Sequence, residues 1–124
     1  MNVMYVDDEE ILLEVVRNYF EILDLPADCF TIAQEGLDSL KSKEYRLIMV
    51  DYNMPGVSVQ NFIDSVKAHN ADIKIMITSG DVKSNIKLDF GEENNLYFIK
   101  KPFTIEELSE TIKKIFPDDK FNSL

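Results

Sequence analysis

No apolar run in the sequence approaches the roughly 20 residues a helix needs to cross a bilayer. The first residues carry no basic stretch followed by an apolar one, so no export signal is expected. A single cysteine, Cys29, excludes an intramolecular disulfide. Its neighbours Ala27, Phe30 and Ile32 predict a small buried thiol rather than a reactive one. Both features fit a reducing cytoplasm. Basic residues are also scarce. With 13 of them against 23 acidic ones, the formal charge of −10 would repel nucleic-acid phosphates. Direct nucleic-acid binding and membrane insertion are therefore not expected, and no internal repeat, linker or low-complexity tract stands out.

What the sequence does have is a core. Apolar residues make up 45% of its 124 positions, which suits one compact domain. Asn2 to Val6 predicts a short buried strand stopped by Asp7-Asp8-Glu9-Glu10. Ile11, Leu12, Val15, Val16, Tyr19, Phe20, Ile22 and Leu23 then recur at helical spacing, and Leu25-Pro26 closes that helix. Acidic residues in its first turn suit the helix dipole. Cys29 to Ala33 predicts a second strand, and Leu37 with Leu40 a brief second helix. Arg46 to Val50 reads as a strand buried on both faces and stopped by Asp51.

After the turn residues Asn53-Met54-Pro55-Gly56, Ser58 is placed to cap a third helix carrying Phe62, Ile63 and Val66. Ile73 to Ile77 predicts a fourth strand ending at Thr78-Ser79-Gly80. A fourth helix is expected from about Val82 to Glu93, weakened by Gly91, and a fifth strand over Leu96 to Ile99. Thr104 and Glu107 form a capping box for a fifth helix, which Pro117 ends. Five strands alternating with five helices predict an α/β domain over residues 1–117, with a parallel sheet covered on both faces. Residues 118–124 read as a short polar tail with no second domain attached.

In such a sheet, ligands bind beyond the carboxyl ends of the strands. The first strand delivers Asp7 and Asp8 there, the third Asp51, the fourth Thr78 and the fifth Lys101. Crowded carboxylates call for a neutralising cation, and Mg²⁺ takes oxygen ligands while keeping several waters. A carboxylate is a competent nucleophile toward an activated phosphoryl group, whose oxygens a lysine, a hydroxyl and a metal can share. Each residue alone has an ordinary explanation: helix start, turn, strand end or surface charge. Their common placement at one sheet edge points to a phosphoryl acceptor.

In this order and spacing the residues resemble the receiver domains of bacterial two-component systems, including chemotaxis-type (CheY-like) single-domain regulators. The resemblance spans essentially the whole chain. It rests on Val6-Asp7-Asp8-Glu9, Val50-Asp51-Tyr52-Asn53-Met54-Pro55-Gly56, Ile77-Thr78-Ser79 and Lys100-Lys101-Pro102-Phe103. It implies strand order 2-1-3-4-5 and phosphorylation of Asp51 by a histidine kinase or phosphotransfer protein. Mg²⁺ would be held by Asp8, Asp51 and the Asn53 carbonyl, with Asp7 acting through water. Thr78 and Lys101 would contact phosphoryl oxygens, and the Lys101–Pro102 bond would be cis.

The resemblance also implies a switch in which Thr78 moves inward and Phe98 packs behind it. That would change the face made by the fourth helix, fifth strand and fifth helix, where a downstream protein would dock. The domain would be a cytoplasmic monomer or a weak phosphorylation-dependent dimer. It would assist its own phosphorylation and dephosphorylation without being an enzyme. Ser58-Val59 replaces the family's common Asp-Gly, and Gly80 occupies a position that tunes phosphate lifetime.

Two other aspartate or phosphate chemistries fit less well. A flavin carrier would need a phosphate loop where Asp7-Asp8-Glu9 stands, and a dehalogenase-type phosphatase would need an acid where Asn53 stands. The alternative from a different class is a receiver-like module that binds partners without phosphate.

Overall fold

The apolar runs become five strands of one parallel sheet in the computed structural model, which describes residues 1–80 and 95–117. In chain order the elements are β1 (Val3–Val6), α1 (Glu10–Ile22), β2 (Ala27–Phe30), α2 (Ala33–Ser39) and β3 (Leu47–Asp51). There follow α3 (Val59–His69), β4 (Lys74–Ser79), β5 (Leu96–Lys100) and α4 (Ile105–Ile115). The strand order is β2-β1-β3-β4-β5, as the resemblance implied. The described residues hold four helices, and the further helix expected from Val82 to Glu93 lies outside them, as does the tail 118–124. The final helix of the sequence reading is α4.

Two apolar layers sandwich the sheet. Every residue of β1 and β3 is buried, which explains the unbroken apolar runs from Val3 to Val6 and from Leu47 to Val50. Because side chains alternate along a strand, Tyr5 and Met49 join Val16 and Phe20 of α1 and Leu108 and Ile112 of α4 on one side. Met4 and Ile48 pack with Phe62, Ile63 and Val66 of α3 on the other. Gly36 lets α2 approach β1 closely: a Cβ there would lie 3.1 Å from Met4 Sδ and 3.3 Å from Val6 Cγ2.

The caps follow the sequence. Ser58 Oγ accepts from Asn61 N–H at 3.2 Å. Thr104 and Glu107 exchange both capping-box bonds, at 2.9 and 3.1 Å. The second strand differs from expectation: it spans Ala27–Phe30 instead of 29–33. Pairing with β1 decides this, because Ala27 lies against Val3 and Phe30 against Val6, after which Ala33 begins α2. Cys29 is half-buried within that strand, and burial pushes its thiol pKa up. No described helix is long and apolar enough to cross a membrane.

Candidate functional site

Parallel pairing brings the strand ends into one plane. Val6 lies against Val50, one step before Asp7 and Asp51, and Asp51 lies against Thr78. The turns beyond the strands are tied to β4, since Tyr52 N–H donates to the Thr78 carbonyl and Lys101 N–H to the Ser79 carbonyl, both at 2.8 Å. Asp7, Asp51, Thr78 and Lys101 thus reach the same edge by backbone geometry alone. The Lys101–Pro102 peptide bond is cis.

One carboxylate oxygen each from Asp7, Asp8 and Asp51 lies within 4.8 Å of the other two. Asp7 is wholly buried and Asp51 nearly so, whereas Asp8 is open to solvent. The Lys101 ammonium bridges the buried pair, 3.0 Å from Asp7 Oδ2 and 3.1 Å from Asp51 Oδ2. Burial raises the Asp51 pKa and the Asp7 charge adds to it, against the lowering pull of Lys101. For Lys101, burial acts to lower the pKa but is outweighed by the Asp7 hydrogen bond and the charges of Asp51 and Asp7, so it is raised.

Lys101 balances one of three negative charges. The two that remain, on oxygen donors, match a hard divalent cation such as Mg²⁺, so the residues present fit the metal. Thr78 adds a polar group to the same edge. It is fully buried, and its Oγ1 has no hydrogen-bond partner among the described residues. Buried hydroxyls are almost always paired, so an orphaned one beside a strand-end aspartate marks a place for an incoming acceptor oxygen.

The remaining candidates fall at different distances from this centre. Asn53 sits exposed in the turn after β3, and its N–H donates to Asp51 Oδ1 at 3.3 Å. Phe98 is half-buried and packs against the α3-side layer, while Tyr97 packs against the α1-side layer, as strand alternation requires. His69 is exposed at the end of α3, away from the strand ends.

Tyr5 was not among the sequence candidates. Its hydroxyl donates to Asp7 Oδ2 at 2.5 Å, with both residues fully buried. Burial first, then the hydrogen bond to Asp7, pushes its ionisation far above the ordinary tyrosine value, so it acts as a donor. The available signal was its place two residues before Asp7, on the same face of one strand.

The model of the response regulator receiver domain family matches residues 3–113. The chain belongs to this family. The receiver domain is 25% identical over 121 residues to chemotaxis protein CheY-3 of Vibrio cholerae, covering 94% of this chain and 92% of that one. It is 27% identical over 118 residues to transcriptional regulatory protein RprY of Bacteroides fragilis, covering 93% of this chain and 49% of that longer protein. The solved structure of chemotaxis response regulator CheY4 of Vibrio cholerae superposes with a TM-score of 0.82 at 19% identity, covering 93% of this chain and 98% of that one. The beryllofluoride-activated NtrC4 receiver domain gives 0.77 at 26% identity, covering 94% and 97%. The receiver therefore has the CheY-like fold. Receiver domains generally bind Mg²⁺ at an acidic pocket, and this one carries the cluster of Asp7, Asp8 and Asp51.

Proposed function

We propose that this receiver takes a phosphoryl group onto Asp51 from the phosphohistidine of a histidine kinase or phosphotransfer protein. A carboxylate oxygen of Asp51 forms the new O–P bond as the N–P bond breaks. The electron pair of that bond stays on the imidazole, which takes up a proton. Lys101, already 3.1 Å from Asp51, balances charge on the transferring group, and the Thr78 hydroxyl supplies the hydrogen bond it makes with no described residue. Asp8, Asp51 and the Asn53 carbonyl would hold Mg²⁺, with Asp7 acting through water. When bound, the metal supplies further positive charge beside the phosphoryl oxygens. The observation that carries this reading is the buried Asp51 flanked by the Lys101 ammonium and by a Thr78 hydroxyl unpartnered among the described residues.

Output follows from the same hydroxyl. Drawing Thr78 toward the phosphoryl group opens space on β4, and Phe98 on the neighbouring strand packs inward behind it. The face of β5 and α4 then changes shape for a downstream protein, and the fourth helix expected beside it lies outside the described residues. The domain works in the cytoplasm, as a monomer or weak phosphorylation-dependent dimer, and is a signalling protein that assists its own phosphorylation and dephosphorylation.

Intact mass after incubation with acetyl phosphate, with and without Mg²⁺, tests this reading. Wild type should gain one phosphoryl group only with Mg²⁺, and Asp51→Asn should gain none. A folded wild type that neither binds Mg²⁺ nor gains mass would leave the phosphate-independent interaction module as the better reading.

A further inference from the structure

Among the described residues, three protein donors hold Asp7. Glu9 N–H bonds to its Oδ1 at 3.0 Å, while Oδ2 accepts from Tyr5 Oη at 2.5 Å and Lys101 Nζ at 3.0 Å. Of these, only the lysine is shared with another carboxylate, that of Asp51. In the proposed function Lys101 must also serve the incoming phosphoryl oxygens, and a lysine drawn toward them gives up part of its hold on Asp7. Tyr5 makes no such compromise. Its ring is fully buried in the α1–α4 side of the core, on a central strand whose other residues are apolar. Phenylalanine would fill that space, and placing a hydroxyl in it is costly unless the hydroxyl is bonded.

We infer that Tyr5 is a positioning residue for the cation site, its hydroxyl fixing the Asp7 carboxylate so that Asp7 keeps its aim when Lys101 turns to the phosphoryl group. This rests on the phosphoacceptor reading and adds a residue to it. Outer-sphere donors of this kind orient the carboxylates that serve a metal, and their loss typically weakens metal affinity about tenfold or more. The ring removes freedom as well. Anchored among core side chains, it holds the oxygen with little conformational entropy left to lose.

The test compares wild type with Tyr5→Phe. Mg²⁺ binding is titrated by amide NMR shifts near Asp7 and Asp8, and acetyl phosphate labelling is followed at low and saturating Mg²⁺. The expected result is Mg²⁺ affinity about tenfold weaker in Tyr5→Phe, with slow labelling at low Mg²⁺ that recovers at saturation. Unchanged affinity would overturn the inference, as would a labelling defect that saturating Mg²⁺ leaves in place.

A measurement on the wild type guards against a variant that misfolds. The Tyr5 Cζ shift, sensitive to hydroxyl donation, should hold steady when Mg²⁺ and beryllofluoride are added. Movement to the value of an unbonded phenol would refute the role. Failure of wild type itself to bind Mg²⁺ or take up phosphate would instead sink the phosphoacceptor reading, and this inference with it.

Discussion

Among the described residues, two groups join an aspartate, a tyrosine and a lysine, and they do opposite things. At the carboxyl end of the sheet, Asp7 Oδ2 accepts from Tyr5 and Lys101. At the sheet's edge, Asp28 Oδ2 accepts from Tyr45 at 2.6 Å and Lys43 at 2.7 Å, and Tyr45 is also bonded to Ser39. The edge group balances one carboxylate with one ammonium and leaves both partly in solvent, 37% and 43% exposed. The central group is buried, and its lysine is divided between Asp7 and Asp51 with Asp8 close by. Identical side chains therefore make a staple in one place and a receptive site in the other. Charge balance and burial set the difference.

The largest contrast is expected on removing the lysines. Lys101→Met should cost about 3 kcal/mol in Mg²⁺-free urea denaturation, because it leaves buried carboxylates uncompensated. Added Mg²⁺ should return much of that loss. Lys43→Met should cost about 1 kcal/mol or less and be indifferent to Mg²⁺, as a solvent-screened pair should be. Equal losses in the two variants would erase the distinction.

Neutralising the aspartates should give effects of opposite sign. The raised pKa of Asp51 means that its charge opposes folding, so Asp51→Asn should raise the Mg²⁺-free thermal midpoint. Asp28 is the reverse case. Burial acts to raise its pKa, but hydrogen bonds from Lys43 and Tyr45 outweigh burial and lower it. Asp28→Asn should therefore lower the midpoint, and matching signs for the two variants would contradict the comparison.

The smallest effects lie in the pH dependence of the edge group. Asp28 contributes stability above its unfolded-state pKa, and this is lost as pH falls through the lower folded value. Tyr45 is pushed up from 10 to about 12, chiefly by burial and then by its bond to Asp28. Over that window the folded chain holds a proton that the unfolded chain has released, so stability falls as pH rises. Unfolding midpoints of Tyr45→Phe between pH 10 and pH 12 should show a shallower decline than wild type.

Much of this fold was readable because the sheet writes itself into sequence. β1, β3 and β4 are buried apolar runs ending in polar residues, and those endings supply the candidate site: Asp7, Asp51 and Thr78. Caps at Ser58 and Thr104 are local hydrogen-bond patterns and carry over directly. The second strand was placed two residues late at its start and three at its end because its bounds depend on pairing with β1, a contact distant in the chain. Helical periodicity marked Ile11 and Ile22 with the core residues of α1, yet they are 86% and 67% exposed. Only three-dimensional packing separates the Leu13, Val16 and Phe20 face from its neighbours. Tyr5 was missed for a different reason: a tyrosine in a buried strand looks like filler until the oxygen it meets is known.

The alternation along β1 has a consequence for changes of length. Tyr5 can reach Asp7 because an even step separates them, whereas Asp8, one step further, faces solvent. A residue inserted between Tyr5 and Asp7 would keep every functional group in the chain and still break the site. The tyrosine and its aspartate would then point into different layers. The same insertion in the exposed turn at Pro55 to Val57 would merely lengthen a connection and leave every strand in register. A single odd insertion in β1 is thus more damaging than loss of the tyrosine hydroxyl alone, and scanning insertions would trace the site by parity.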